Sequence, residues 1–389
     1  MLQPTVTEKE RKLFTGRDSS IKQARNLISN NKTVVLLAQK GLGKTAFLKQ
    51  LATGTGTIYI DLKKLSLTPE SFSVEFTGAI CSGLATDSKP ICTLDDLKQA
   101  KLGKRCKSII ATIDNELQKI KPDQTLILKS AFSFGEAFSA ENGKKLTVAI
   151  NNCDELLKLN NFSQIEDVLG TLFDTLADNK SFSMILASSS VYNMRRVLKR
   201  FNPDIIELGP LSEEETRQLL EKIAGKVDER VSKEVYALSA GIPAAINTIA
   251  SRLKEEKKAD TQANIALIRY ILHSGLADRS SASYSYCSNL FTDSLNRARG
   301  ESLLKAILKV VSQNEPLRLT EIARRIYRSG PVTKSLIERL IEVDLLEKQD
   351  NTFRFSNPVL KVWCRLMFNG VEFDSTPDEK SLDSVGGSS

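Results

Sequence analysis

The segment Val34-Val-Leu-Leu-Ala-Gln-Lys-Gly-Leu-Gly-Lys-Thr45 constrains this chain more than any other. A short, apolar, β-branched run leads into a loop with two glycines, and an amphipathic stretch over 46–52 follows. That order of strand, Gly-Leu-Gly-Lys-Thr and helix matches the Walker A pattern, with Ala38 where the first glycine usually stands. Each residue type has a physical reason to be there. Gly41 and Gly43 let the main chain aim the N–H groups of Gly41, Leu42, Gly43, Lys44, Thr45 and Ala46 at phosphate oxygens. The positive end of the helix dipole adds to that attraction. Lys44 brings a mobile charge to the terminal phosphates and is a catalytic candidate, while Thr45 offers a hydroxyl ligand to Mg²⁺. The expected cofactors are therefore ATP or ADP with Mg²⁺. A guanine base is disfavoured, because no [NT]KxD element occurs.

Around this loop the first 208 residues alternate short apolar runs with helical stretches, the pattern of a parallel sheet flanked by helices. Strands are expected at 33–38, 57–62, 146–150, 183–187 and 205–208, each apolar enough to be buried on both faces. The fold class is thus α/β, a P-loop sheet core over 1–208. It is interrupted at 69–140 by a helical insertion whose best loop is 88–93. Ser212 and Glu215 form a capping-box signature that predicts a helix over 213–224, with another from about residue 232. These helices open a lid over 209–275. The serine-rich stretch 278–288 marks a linker at 276–299. A C-terminal module over 300–370 then reads helix (302–313), helix (320–328), helix (332–343) and two short strands within 345–355. The tail 371–389, with five acids and one lysine, is expected to be disordered.

Composition excludes several classes. At 389 residues with 41% hydrophobic and 26% charged side chains, the chain suits two or three globular domains. A lone histidine, His273, argues against His-based metal sites, and six scattered cysteines without a CxxC pair argue for reduced, buried thiols. No apolar run approaches the roughly 20 residues of a membrane span. The N-terminus lacks the apolar core of a signal peptide, so a cytoplasmic protein with no membrane partner is expected. The net charge of +8 permits a polyanionic partner without requiring one.

A nucleotide site of this kind needs a second, acidic station at the end of another strand, to hold the metal's water shell and orient the attacking water. After the strand at 146–150 come Asn151, Asn152, Cys153, Asp154 and Glu155. In one register asparagines fill both places, so that Asn151 faces the metal with a dipole and no charge. In the other the strand runs three residues further, and Asp154 and Glu155 are the catalytic acids.

With these residues in hand, the chain resembles P-loop ATPases of the AAA+ and STAND type. It is most similar to the family described as predominantly archaeal ATPases, and more distantly to origin-recognition ATPases. The resemblance covers residues 13–367. Its N-terminal signature appears as Phe14-Thr-Gly-Arg-Asp18, which implies that this segment lies against adenine and that Arg17 contacts nucleotide or phosphate loop. The strand end at Ser188 resembles sensor 1, and Gly241-Ile-Pro243 resembles the GxP element whose proline packs on the nucleotide. The family pattern is departed from at the paired asparagines and at Ala244, where a sensor 2 arginine would stand. Both departures weaken hydrolysis more than binding. Arg195 and Arg196 occupy the region where oligomeric relatives carry an arginine that acts in trans, so self-assembly stays open.

Residues 300–367 resemble the winged helix of the same ATPases. The stretch 332–343 would be its recognition helix, burying Leu336, Leu340 and Ile341 and exposing Thr333, Lys334 and Arg339. With Arg324 and Arg325 these residues form a candidate surface for double-stranded DNA, or alternatively for a protein partner. Between residues 316 and 365 there are ten Lys/Arg and six Asp/Glu, a surplus of four. The resemblance therefore implies an ATP-binding switch with weak hydrolysis that moves a winged helix, or a non-hydrolysing DNA-binding or scaffold protein with structural ATP or ADP.

Overall fold

In a computed structural model, the protein is described over residues 14–52, 57–83, 91, 93–143, 145–177, 181–255 and 265–368. The expected tail at 371–389 and most of the loop at 88–93 lie outside these residues.

Five parallel strands form the central sheet: β1 (Thr33–Leu37), β2 (Thr57–Asp61), β3 (Leu146–Asn151), β4 (Phe182–Ser188) and β5 (Asp204–Glu207). Their order is β2-β3-β4-β1-β5, which puts β1 between two strands that follow it much later in the chain. Every residue of β3 and β4 is buried, as the continuous apolar runs require. The register pairs Leu37 with Ser188, Asn151 with Ala187, and Asp61 with Asn151. The carboxyl ends of four strands therefore finish at one level, and side chains just beyond them meet. A crevice at such a switch in strand order is where open α/β sheets bind ligands.

Strand alternation divides the apolar side chains between two cores. Val35, Leu37, Val148, Ile150, Met184 and Leu186 face the insertion, formed by α3 (Pro69–Ser82), α4 (Leu94–Gln99), α5 (Lys104–Leu117) and α6 (Gln124–Asn142). Phe72 and Phe76 stack there, and Phe132 meets both edge-on, with ring centroids 5.3–6.1 Å apart. Val34, Leu36, Ala149, Ile185 and Ala187 face the other way, towards α1 (Asp18–Ser29) and α2 (Lys44–Ala52). From there one continuous core runs through the lid helices α9 (Glu213–Ala224), α10 (Glu229–Ser239), α11 (Pro243–Glu255) and α12 (Ile265–Ala277), and on into the C-terminal region. The helices α7 (Val168–Leu176) and α8 (Val191–Leu198) complete the first layer.

The capping box that opens α9 is present in both directions: Ser212 Oγ accepts from the Glu215 amide at 3.2 Å, and Glu215 accepts from the Ser212 amide at 2.8 Å. The segment read as a linker is different. Most of 276–299 is the helix α13 (Ala282–Ala298), whose Cys287, Leu290, Phe291, Leu295 and Ala298 recur at helical spacing and are buried. Its serines are helix residues, two of them in the core. Ser283 and Ser294 are fully buried, and the hydroxyl of Ser283 donates to Thr248 at 2.7 Å.

Beyond it lie α14 (Glu301–Asn314), β6 (Leu317–Arg318), α15 (Leu319–Arg325), α16 (Gly330–Glu342), β7 (Leu346–Gln349), β8 (Thr352–Phe355) and α17 (Pro358–Phe368). The three strands form an antiparallel sheet in the order β6-β8-β7. Trp363 is buried among Tyr284 and Phe291 of α13. Five of the cysteines are buried free thiols; Cys92 lies outside the described residues. Among the described residues no helix is long and apolar enough to cross a membrane.

Candidate nucleotide site

The loop between β1 and α2 has the backbone that its sequence demands. Gly41 and Gly43 have φ of +83° and +85°, a region costly for L side chains. At Gly43 nothing lies within 4 Å of the position a Cβ would take, so the loop opens there onto free space. Lys44 opens α2 and is only 8% exposed, and its Nζ has no hydrogen-bond partner. Burial holds its ammonium below the ordinary lysine value, while the charges of Asp154 and Asp61 pull it back up. A buried cation without a partner is expensive unless an anion joins it. The loop, the lone ammonium and the helix start together fit a phosphate tail.

On the lid side of the loop is a cavity of about 380 Å³. Leu42, Gly43, Thr45 and Ala46 form one wall, Phe14, Thr15 and Arg17 a second, and Leu211, Leu219, Pro243 and Asn247 of the lid a third. The lid holds the N-terminal segment in place. The Arg17 amide donates to Glu215 Oε1 at 3.0 Å, the Arg17 guanidinium donates to the Gly209 carbonyl, and Lys222 donates to the Phe14 carbonyl at 2.8 Å. Glu215 thus serves both its own helix cap and the segment that carries Arg17. At the opposite wall Gly241, with φ of +69°, packs its Cα against the Leu211 carbonyl and leads into Pro243, the first residue of α11.

The second station resolves the two registers. β3 stops at Asn151, which is 5% exposed; its Oδ1 is buried without a partner, and the Tyr59 hydroxyl bonds the same side chain. Asn152 adopts the left-handed conformation that asparagine tolerates, with φ of +57°, and donates to Asp61 Oδ1 at 2.7 Å. The chain then turns into a 3₁₀ helix at Cys153–Asn161. This turn swings Asp154 back across the strand ends, where its carboxylate accepts from Ser188 Oγ at 2.5 Å. The strand therefore does not run on, yet Asp154 still reaches the site. Glu155 is close by but is paired to Lys158 at 2.5 Å. Ser188 is fully buried and also accepts from the Ser190 amide at 3.0 Å.

Asp154 and Glu155 open onto a second, smaller cavity of about 210 Å³ at the Lys40 end of the loop. Lys63, Asn152 and Ser189 also line it, and sequence reasoning gave no hint of the rest of its wall, which is Asp293, Asn296 and Arg297 of α13. Asp293 forms an ion pair with Lys40. Nearby, Asp344 joins the C-terminal region to the sheet: its carboxylate accepts from the amides of Val191 and Tyr192 at 2.9 and 3.1 Å, at the start of α8. Arg195 pairs with Glu207, and Arg196 pairs with Glu342 at 2.9 Å, so both are bound within the chain.

The candidate DNA-facing residues separate. Arg324, Arg325 and Lys334 are exposed, as expected. Thr333 is fully buried and donates to the Ser329 carbonyl at 2.9 Å, because the inner stripe of α16 is Thr333, Leu336, Ile337 and Leu340 rather than one through Ile341. Arg339 turns towards the start of α14 and donates to the Arg299 carbonyl at 3.3 Å.

One solved structure shares this architecture, and others align with it more loosely. The Walker-type ATPase PABY2304 of Pyrococcus abyssi aligns with a TM-score of 0.66 over 94% of this chain and 99% of its own, at 16% identity. The STAND protein PH0952 of Pyrococcus horikoshii, with a tetratricopeptide repeat sensor, aligns at a TM-score of 0.39 over 96% of this chain and 44% of its own, at 15% identity. A point variant of RuvB from Thermotoga maritima gives 0.42 over 88% and 92%, at 14% identity. The last two likenesses are too loose to carry an argument. No family model and no curated protein matches the chain. The sheet order, the loop at 38–45 and the first of these likenesses give the chain the fold of a P-loop nucleoside triphosphatase.

Proposed function

We propose that this chain is an AAA+/STAND-like switch that binds ATP or ADP with Mg²⁺ between its sheet and its lid. The observation that carries this reading is Lys44, a buried ammonium without a partner at the rim of an open glycine loop. Amides of residues 41–46 and the Lys44 ammonium would hold the phosphates, with Thr45 and Asn151 on the metal. Arg17 and Pro243 would flank the base and ribose in the lid-side cavity. Bound Mg²⁺ would neutralise phosphate charge. Of the chain's own groups, Asn151 offers the metal shell a dipole without charge. Asp154, held by Ser188, is the carboxylate left to orient water, since Glu155 is already paired. Turnover is therefore slow. Because lid, α13 and C-terminal region share one core with the sheet face, ligand contacts that differ between open and closed arrangements would reposition the C-terminal region.

Residues 300–367 are read as a winged helix with a DNA-binding surface. Arg324, Arg325 and Arg328 are exposed and make no ion pair among the described residues, and Tyr327 between them is 87% exposed. An aromatic ring amid unpaired arginines suits a phosphate backbone. Steady-state phosphate release, with Lys44→Ala as the blank, tests the enzymatic half: release equal to the blank leaves a structural nucleotide in a scaffold. Fluorescence anisotropy with duplex DNA at two salt concentrations tests the other half. Binding should weaken with salt and with charge reversal at Arg324, Arg325 and Lys334; affinity indifferent to both removes DNA from the account.

A further inference from the structure

α13 crosses the phosphate loop with three side chains on one face, at positions i, i+7 and i+11. Tyr286 lays its ring on Gly41 so closely that no Cβ fits there. Asp293 pairs with Lys40. Arg297, one turn further, reaches the 210 Å³ cavity opposite Asp154 and Glu155. Among the described residues, the charged groups around that cavity have partners, apart from the exposed Lys63 and Arg297. Lys40 has Asp293, Glu155 has Lys158 and Asp154 has the Ser188 hydroxyl. Arg297 makes no ion pair among the described residues. Its guanidinium has only two 3.4 Å contacts, to the Asp293 carbonyl and the Ser294 hydroxyl of its own helix.

An arginine fork left open beside the Lys40 end of a phosphate loop is suited to two oxygens of a terminal phosphate. The two other arginines in question, Arg195 and Arg196, are tied to Glu207 and Glu342. We propose that Arg297 is this chain's own terminal-phosphate arginine, supplied in cis by α13, so that ATP is told from ADP within one copy of the chain. The proposal rests on the nucleotide reading above and adds to it the group that reads the third phosphate.

Equilibrium dialysis of the full chain with Mg-ADP and with Mg-ATPγS tests it. Arg297→Gln should leave the ADP affinity within about two-fold and weaken ATPγS about ten-fold. Arg297→Lys, which keeps the charge but loses the fork, should fall between. A loss confined to one of two ligands that share a base, a sugar and two phosphates is not what misfolding produces. Mixing Arg297→Gln with Lys44→Ala should leave the ATPγS defect in place, because each copy needs both groups. Equal weakening of both ligands, or none, overturns the arginine assignment while ADP binding stands. Recovery in the mixture overturns the cis arrangement. If the wild-type chain binds neither ligand, the nucleotide reading fails and the arginine falls with it.

Discussion

The two sides of the phosphate loop are built on different principles. On the lid side is an apolar cavity of about 380 Å³ whose walls come from motif residues, among them Arg17, Gly43, Thr45 and Pro243. On the other side is a charged chamber of about 210 Å³ lined by Lys40 of the loop, by Lys63, by residues that follow β3 and β4, and by Asp293, Asn296 and Arg297 of α13, which no motif announces. The first side suits a base and sugar and makes few demands on ionisation. The second concentrates lysine, arginine and carboxylate side chains at the point where the sheet, the loop and α13 meet. On the proposed reading, recognition of a nucleotide and response to its phosphate state would be separated in space, with the loop as the partition.

That separation can be broken from the α13 side first. Phe291 packs its ring 5.3 Å from Trp363 and is 4% exposed, so Phe291→Ala should cost about 3–5 kcal/mol in urea unfolding. If the two sides are separable, Mg-ADP affinity of the folded fraction stays within a few-fold; a parallel loss joins them into one site.

The next effect is at Asp344, where burial pushes the carboxyl up to about 6 against the opposing pull of the Tyr192 and Val191 amides and of Arg297. The folded chain therefore holds its proton more tightly than the unfolded chain, and stability falls as pH rises from about 4 through about 6. Relative to Asp344→Asn, the wild type should lose about 2 kcal/mol across that window in chemical unfolding. Parallel pH profiles would show that this contact carries no such linkage.

Smaller effects address the loop itself. Ala46→Phe, which fills the lid-side cavity, should weaken ADP and ATPγS equally, by about ten-fold, in contrast to the selective loss at Arg297. Weakening of one ligand alone would put the base elsewhere. Asn151→Asp returns a carboxylate to the end of β3 and should raise phosphate release several-fold, or about 1 kcal/mol in barrier. An unchanged rate would give the metal's acidic duty to Asp154.

The legibility of this molecule follows the same division. The five strands, the glycine loop and the capping box at Ser212 were open to reading because each is a local rule: buried strands are apolar throughout, a tight anion loop needs glycine, and a helix start needs an acceptor. α13 escaped because serine favours turns in isolation, while here Ser283 and Ser294 are buried between helices and Leu290, Phe291 and Leu295 carry the helix. The route of Asp154 escaped for another reason. A 3₁₀ turn after a left-handed Asn152 returns its carboxylate to Ser188, a contact between residues 34 apart that no spacing rule encodes. Thr333 was misplaced by a one-step rotation of the apolar stripe, which Ile337 rather than Ile341 completes. Local patterns were readable; the meeting of distant segments was not.

The central claim is that phosphates sit on the amides of residues 41–46 with Lys44 as their buried counter-ion. Isothermal titration calorimetry of Mg-ADP into the full chain and into Lys44→Ala measures it most directly. The account predicts saturable heat at a single site in the wild type and at least about a hundred-fold weaker binding in the variant. Equal binding by both, or no heat at millimolar ligand from a chain that remains folded, would contradict it.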